Sequence, residues 1–167
     1  IRLRPDYPEA FNNQGNLLSD TGNLEGALRN YDEAIRLKPD YPEAYFNRGN
    51  ARKTNGDLAG ALQDYSEAIR LKPDDAGAFL KRGIAHKANG DMEGALRDYS
   101  EAIRLKPSDA AAYYNRGQIW RQKVRYKAAI ADLQKYLDHG GGAQYGDQLE
   151  VEQLVRDLTE KLSFQRL

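Results

Sequence analysis

Apolar side chains recur along most of the chain at intervals of three and four residues. Residues 40–73 hold two such segments, with Asp40 as a candidate cap before the first and Asn55-Gly56 between them. Apolar positions at this spacing share one face of a helix, and an Asn-Gly pair favours a helix end. We therefore predict two antiparallel helices joined by a short turn. The apolar positions of the second helix are Leu58, Ala61, Leu62, Tyr65, Ala68, Ile69 and Leu71.

The helix pair is repeated along the chain. Residues 27–39 read ALRNYDEAIRLKP, and nearly the same letters return at 61–73 and 95–107, a period of 34 residues. A fixed period of this length is typical of chains that stack one helix pair on the next, because a single pair cannot bury its apolar face alone. The sequence thus predicts an all-α solenoid of stacked antiparallel helix pairs.

The last repeat is irregular, since Val124 stands at its turn glycine and Leu133 at its tyrosine. Gly140-Gly141-Gly142 follows and predicts a flexible break before a final amphipathic helix, which we interpret as a cap; the alternative is a swapped or partner-binding helix. We expect the chain to be a segment of a longer protein. Its N-terminal edge is expected to be uncapped and apolar, and so to favour pairing with a second copy. The expected organisation is 1–5, the tail of a truncated repeat; 6–39, 40–73, 74–107 and 108–141, four repeats; and 147–164, the capping helix.

Arginine and aspartate vary together between repeats. The first repeat has the neutral pair Gln14 and Asn30 where the others have one residue of each charge. This pattern predicts a partly buried ion pair between the two helices of a repeat, and the alternative is two unrelated exposed rows. The charged pairs are Arg48–Asp64, Arg82–Asp98 and Arg116–Asp132.

Six rows of residues recur in register and together resemble the tetratricopeptide repeat (TPR) family over about residues 1–141. The resemblance implies a right-handed superhelix whose first helices line a concave groove for an extended segment or helix of a partner. Two rows depart from the family pattern, namely Gln14/Arg48/Arg82/Arg116 and Leu18/Arg52/His86/Trp120. The matching rows are Phe11/Tyr45/Phe79/Tyr113, Gly15/Gly49/Gly83/Gly117, Ala27/Ala61/Ala95/Ala129, Tyr31/Tyr65/Tyr99, Ala34/Ala68/Ala102 and Pro5/Pro39/Pro73/Pro107.

Placed on that geometry, amide, apolar and cationic side chains line the groove. Amides can hold a peptide backbone, and the rows are similar to the asparagine ladder of a protein glycosyltransferase. We expect a partner peptide with acidic and bulky apolar residues; the alternative is a solvated face. The amide rows are Asn13/Asn47/Lys81/Asn115 and Asn16/Asn50/Ile84/Gln118, the apolar residues are Phe46, Leu80, Ile84 and Tyr114, and the cations are Lys53, Lys81, Lys87 and Arg121.

The groove matches the carboxylate clamp of TPR co-chaperones only in part. Asn16, Asn47 and Lys81 stand at clamp positions, whereas Asn12 and Gly77 stand where two lysines are expected. Loss of two cations removes much of the charge-assisted hydrogen bonding to a C-terminal carboxylate. We therefore do not expect a true clamp.

Composition excludes several classes of partner and site. Lysine plus arginine equals aspartate plus glutamate at 25 each, so no net charge attracts nucleic acid or anionic lipid. The chain has no cysteine for a disulfide or thiolate metal site, which fits a cytoplasmic location. His86 and His139 show no metal-ligand spacing. We expect no catalytic residue, cofactor, metal, nucleic acid or membrane partner.

The sequence thus favours a non-catalytic scaffold that binds a partner protein in the groove. One alternative is self-assembly, through the groove or through the N-terminal edge. Another is a substrate-recruiting or regulatory arm of an enzyme whose catalytic domain lies outside this segment.

Overall fold

The computed structural model describes residues 7–164, in which all regular structure is helical. The expected repeat tail at 1–5 lies outside the described residues. The chain divides into two compact units, Ile1–Gly90 and Asp91–Leu167. The helices are α1 Pro8–Asp20, α2 Leu24–Leu37, α3 Pro42–Thr54, α4 Leu58–Leu71 and α5 Ala76–Ala88, then α6 Met92–Leu105, α7 Ala110–Gln122, α8 Tyr126–Asp138, α9 Gly141–Tyr145 and α10 Gln148–Phe164.

Most helix ends follow the local sequence, but α1, α3 and α8 begin without a side-chain cap. Asp57 accepts a hydrogen bond from the Gly60 backbone N–H at 2.9 Å and caps α4. Gly56 ends the preceding turn with φ +84°, the left-handed conformation that glycine tolerates. The expected cap at Asp40 is wrong, because Tyr41 occupies the N-cap position of α3 and forms no side-chain cap. Pro42 at the first helical position compensates, since it has no N–H that requires a partner.

In the first unit, α1 packs on α2 and α3 on α4, while α2–α3 and α4–α5 contacts join successive pairs. Tyr31 clusters with Ala27 and Ala51, and one repeat later Tyr65 clusters with Ala61 and Ala85. Each tyrosine is buried at the seam between its own pair and the next first helix. These rings are the large side chains that fix the spacing of the stack.

In the second unit, α10 packs along α8 and closes the core of the last pair. Val151 and Leu158 of α10 are buried with Leu133 and Tyr136 of α8. The apolar face of α8 is therefore covered by α10, as a cap requires.

The expected flexible break at the glycine triplet is wrong. Residues 141–145 form the short helix α9, and Gly141 and Gly142 are buried. A Cβ added to Gly141 would lie 2.1 Å from Cε2 of Tyr136. Gly141 thus packs directly on the Tyr136 ring, and Gly142 packs closely on Gln148 and Leu137, so both positions lack room for a side chain.

Two of the predicted arginine–aspartate pairs have both partners in one unit, and both of these pairs form. Arg48 donates to Asp64 from Nε at 2.9 Å and from Nη2 at 2.6 Å. Arg116 makes the same two-bond contact with Asp132, at 2.8 Å each. The prediction is confirmed for these two pairs, and the pair of the third repeat, divided between the units, stays a prediction.

These arginines also reach the preceding repeat. Arg48 Nη1 donates to Asp32 at 2.7 Å, and Arg116 Nη1 donates to Ser100 Oγ at 3.0 Å. One guanidinium thus connects a helix pair internally and to its neighbour. Burial alone lowers the pKa of the Arg48 guanidinium, but hydrogen bonds and charge from Asp64 and Asp32 together outweigh it and leave the pKa raised.

Candidate peptide-binding surface

The predicted groove residues all lie on the first helices of the repeats. In the first unit, α1 contacts α3 and α3 contacts α5, so the first helices are neighbours. Asn13 and Asn16 belong to α1, residues 46–53 to α3, and residues 80–87 to α5. The remaining predicted residues, Tyr114, Asn115, Gln118 and Arg121, belong to α7 in the second unit.

Three predicted amides of the first unit meet in one cleft of about 400 Å³, which we call the amide cleft. Helices α1, α2 and α3 contribute its walls, and both predicted amide rows reach it. Its polar lining and open side suit hydrogen bonding to a peptide backbone. The lining residues are Asn16, Ser19, Asp20, Tyr31, Asn47 and Asn50.

The amides are already oriented by the protein. Asn16 Oδ1 accepts a hydrogen bond from the Tyr31 hydroxyl at 2.8 Å, and Asn50 Oδ1 accepts from Tyr65 at 2.9 Å. These hydrogen bonds from buried tyrosines to asparagines were not predicted from the sequence. The sequence signal for them is incomplete, because asparagine and tyrosine recur together in the first two repeats, whereas the third keeps Tyr99 but has Ile84 at the asparagine position.

Within the described part of the chain, the Nδ2 groups of Asn16 and Asn50 form no recorded hydrogen bond. Each carboxamide is held through its oxygen, which directs a fixed pair of N–H donors. Such donors can bind carbonyl oxygens of a ligand without further ordering cost to the protein.

The tyrosine beneath the amide cleft is protonated at neutral pH. Burial, with a further contribution from the charge of Asp20, raises the pKa of Tyr31 to about 12, while a hydrogen bond with Ser19 acts in the opposite direction. Tyr65 behaves alike, since burial and the neighbouring Asp64 raise its pKa. Both hydroxyls therefore remain donors to their asparagines.

The predicted cations of the first unit are accessible. Lys53, Lys81 and Lys87 are each partly exposed. Among residues 7–164 no recorded ion pair involves any of the three. Their charge is thus free to act on a ligand, unlike that of the arginines at the helix seams.

The predicted apolar groove residues are partly buried in the helix packing of the first unit. Phe46 lies edge-on to Tyr65 with ring centroids 6.0 Å apart and packs on the cluster around it. Leu80 and Ile84 of α5 are each partly exposed. These side chains offer apolar surface to a ligand only over their outer parts.

The carboxylate clamp fails in structure as in sequence. Asn12 is 5% exposed, and its Oδ1 accepts a hydrogen bond from Asn47 Nδ2 at 3.0 Å. The side chain at this clamp position is therefore turned inward. Gly77 supplies no cation at the other position.

In the second unit, Tyr114 and Asn115 border a separate cleft of about 340 Å³. The Tyr114 ring lies 5.0 Å from that of Tyr136, and Asn115 Nδ2 donates to the Ala111 carbonyl at 2.8 Å. Gln118 is half-buried and Arg121 exposed on the same helix. The amide of Asn115 is thus bonded within its own helix.

The described residues contain neither a cluster of potential metal ligands nor a helix suited to crossing a membrane. No group of three or more His, Cys, Asp and Glu side chains in residues 7–164 is arranged to hold a metal ion. No helix in that range combines the length and apolarity needed to cross a membrane.

Comparisons with known proteins agree on the family. A family model described as TPR repeat matches residues 15–56 and 49–90, and a second, described as tetratricopeptide repeat, matches residues 80–144. No curated protein matches the chain.

Several solved structures share the fold. A crystal structure of MamA aligns with a TM-score of 0.79 at 23% identity, covering 84% of this chain and 82% of that one. MamA 41-end from Desulfovibrio magneticus RS-1 aligns at 0.75 and 20% identity, covering 95% and 96%. The first TPR of Spaghetti (RPAP3), bound to the HSP90 peptide SRMEEVD, aligns at 0.68 and 24% identity, covering 73% and 97%. With these matches in register over its stacked helix pairs, the chain belongs to the tetratricopeptide repeat family and is an all-α solenoid.

Proposed function

We propose that this protein is a non-catalytic interaction scaffold that binds an extended segment of a partner protein along α1, α3 and α5. The observation that carries the proposal is the amide cleft, in which Asn16, Asn47 and Asn50 from two first helices converge. The amides of Asn16 and Asn50 are held in place by buried tyrosines, and such donors match the regularly spaced carbonyls of an extended backbone. General family behaviour agrees, since TPR modules usually act in protein interaction.

The charge of the face favours an acidic segment with apolar side chains. Lys53, Lys81 and Lys87 are accessible and unpaired by protein carboxylates among the described residues, while Leu80 and Ile84 supply partly exposed apolar surface. Cations at a binding face select acidic ligands and speed their association. The similar TPR of Spaghetti is bound to a peptide that contains two glutamates and a C-terminal aspartate.

The absent clamp lysines separate this protein from recognition of a C-terminal carboxylate. Asn12 is buried and Gly77 has no side chain, so a terminal carboxylate lacks two of its cationic partners. We infer that internal acidic segments bind at least as well as C-terminal ones.

Charge reversal tests the proposal. The probes are fluorescein-labelled extended peptides in which Asp or Glu alternates with Phe or Leu, each with a free or an amidated C-terminus. We expect the triple variant K53E/K81E/K87E to weaken binding more than about tenfold, because attraction becomes repulsion. The measurement is fluorescence anisotropy at constant ionic strength.

The matched control makes the same change in net charge at cations outside the predicted groove. Lys72, Arg97 and Lys127 are exposed and lie outside the first helices. The variant K72E/R97E/K127E should bind nearly as the parent protein does. Equal affinity of the two triple variants would refute binding along the first helices.

Self-association is a second candidate, favoured by apolar exposure on α1 and the residue before it. Leu17 is 64% and Tyr7 56% exposed, although both are large and apolar. Light scattering after size exclusion over a concentration series tests it. A mass that rises with concentration and returns to one chain in L17K supports self-association, and a constant one-chain mass contradicts it.

A further inference from the structure

The second unit contains an aromatic cleft that is lined in part by the predicted groove residues Tyr114 and Asn115, but its other two tyrosines and its carboxylate were not predicted. It measures about 340 Å³ and lies between α7, α8, the end of α9 and the turn that precedes α10. Three of its six lining residues are tyrosines, and the only formally charged lining group in this described part of the chain is a carboxylate. The lining residues are Ala111, Tyr114, Asn115, Tyr136, Tyr145 and Asp147.

The rings form a contiguous group around Tyr136. The Tyr114 ring lies 5.0 Å from Tyr136 with the planes tilted by 48°, and the Tyr145 ring lies 6.4 Å away and nearly parallel. Tyr136 is 2% exposed and fixed, whereas Tyr145 is 58% exposed at the rim. The cleft therefore presents aromatic surface from a rigid floor to an accessible edge.

A carboxylate completes the cleft. The Tyr136 hydroxyl donates to Asp147 Oδ1 at 2.6 Å, which holds the carboxylate beside the rings. A carboxylate has about four acceptor positions, so this bond leaves capacity for a ligand. Gly146, with φ +75°, forms the turn that brings Tyr145 and Asp147 to the same place.

The cleft arises from departures from the repeat. Tyr136 stands at the position of Ala34, Ala68 and Ala102 in the earlier repeats. The α9 glycine Gly141 then packs on this ring, so the larger side chain is accommodated. A cap needs only apolar closure, which Val151 and Leu158 already provide. Asp147 satisfies the buried Tyr136 hydroxyl through one oxygen, and Tyr145 stacks on Tyr136 while 58% exposed, so the core does not use either side chain fully.

We propose that this aromatic cleft binds an organic cation, namely the ammonium or guanidinium head group of a lysine or arginine side chain on a partner segment. Tyrosine faces attract cations through their quadrupole, and a nearby carboxylate adds charge complementarity. The absence of a cationic side chain among the lining residues removes any competing internal partner. This site is distinct from the amide cleft and selects the opposite charge.

Titration with small cations tests the site. The probes are N-acetyl-lysine methylamide, N-acetyl-arginine methylamide and tetramethylammonium chloride, each added to the full chain, with sodium chloride at equal ionic strength as the reference. Two-dimensional ¹H–¹⁵N NMR should show shifts centred on residues 111–115 and 136–147. Shifts no larger than those from sodium chloride would overturn the proposal.

Variants make the test specific. D147N keeps an oxygen for the Tyr136 hydroxyl while it removes the charge, and Y145A removes an exposed ring outside the core. Each should weaken binding about fivefold to tenfold. E150Q is the matched control, because Glu150 is an exposed carboxylate three residues after Asp147, in the first turn of α10, and does not line the cleft. Equal binding by D147N and E150Q would also overturn the proposal.

The probes distinguish the source of the cation and keep this test separate from the proposed function. Stronger binding of the lysine or arginine amide indicates a partner side chain, and stronger binding of tetramethylammonium redirects the site to free organic cations and overturns the peptide source. The variant K53E/K81E/K87E should bind these cations unchanged. The effect of K53E/K81E/K87E on acidic-peptide binding therefore tests the proposed function, and cation binding tests the aromatic cleft, so either proposal can fail without the other.

Discussion

Gly49 illustrates how one missing side chain sets the distance between two helices. A Cβ added there would lie 2.9 Å from Cε1 of Tyr65 and 3.3 Å from Cβ of Asp64. The Tyr65 ring is fully buried and its hydroxyl is bonded to Asn50, so it cannot swing away. The close fit of ring on backbone explains why glycine is required in this first helix.

We expect G49A to lower the free energy of unfolding by about 1–3 kcal/mol, since overpacking a tight core displaces its neighbours. G117A is the control. A Cβ at Gly117 meets its nearest atoms at 3.2 Å or more, so the strain is smaller and is offset by roughly 1 kcal/mol of helix propensity. Urea unfolding measures both, and equal destabilisation would contradict this explanation.

Val124 carries backbone strain at the turn of the last repeat. Its φ is +57°, whereas the equivalent turns use Gly22, Gly56 and Gly90 with φ between +80° and +85°. A β-branched residue in the left-handed region costs about 1–3 kcal/mol. Val124 is 52% exposed, so its side chain contributes little packing in return.

V124G should therefore raise the stability of the second unit by about 1 kcal/mol. V124A, which removes the branch but keeps Cβ, should gain less. Thermal unfolding followed by circular dichroism compares them. A V124G variant less stable than the parent would show that the strain argument fails.

At the scale of the helix pair, the buried ion pair of Arg48 and Asp64 connects α3 to α4. The Asp64 side chain is 3% exposed, and Arg52 also reaches it at 3.0 Å. Asp32, the other partner of Arg48, is 58% exposed. The same guanidinium thus pairs with one buried and one exposed carboxylate, so the energetic contributions of a buried and an exposed ion pair can be compared at one arginine.

D64A should cost about 3–5 kcal/mol, because it leaves buried arginines without their partner. D32A should cost about 0–1 kcal/mol, since its ion pair is largely solvated. Chemical denaturation of the two variants measures the difference. Similar losses in both would refute a dominant role for the buried pair.

The final helix α10 stabilises the last pair by apolar burial. Leu158 is 2% exposed in the core, whereas Leu149 of the same helix is 78% exposed. L158A should lower stability by about 2–5 kcal/mol through lost contacts and a cavity. L149A should have little effect, and thermal unfolding of both checks the contrast. A neutral L158A would contradict the role of α10 as a cap.

Over the whole chain, the architecture was predictable because the same rows recur in register and local signals agree with them. The interaction of Arg48 with Asp64 was predictable for the same reason, since both rows change together in the first repeat. The helical structure at Gly141 was not predictable, because a run of glycines indicates flexibility unless the packing of Gly141 on Tyr136 is known. The hydrogen bond from Tyr65 to Asn50 could not be predicted without knowing how the two helices pair.

The buried tyrosines predict alkaline sensitivity. The pKa of Tyr31 is about 12 in the folded chain, and about 10 when unfolded. The neutral phenol is favoured by folding, so its contribution is complete below pH 10 and is lost as pH rises towards 12. The melting temperature should fall over this range, and less steeply in Y31F; equal slopes would contradict the assignment.

The central claim is that a partner segment lies along α1, α3 and α5. The most direct test is a ¹H–¹⁵N NMR titration of the full chain with an acidic, apolar-rich extended peptide. We predict the largest shifts at the side-chain amides of Asn16, Asn47 and Asn50 and along α3 and α5. Saturable binding with shifts confined to α2 and α4, or no shifts at these asparagines, would contradict it.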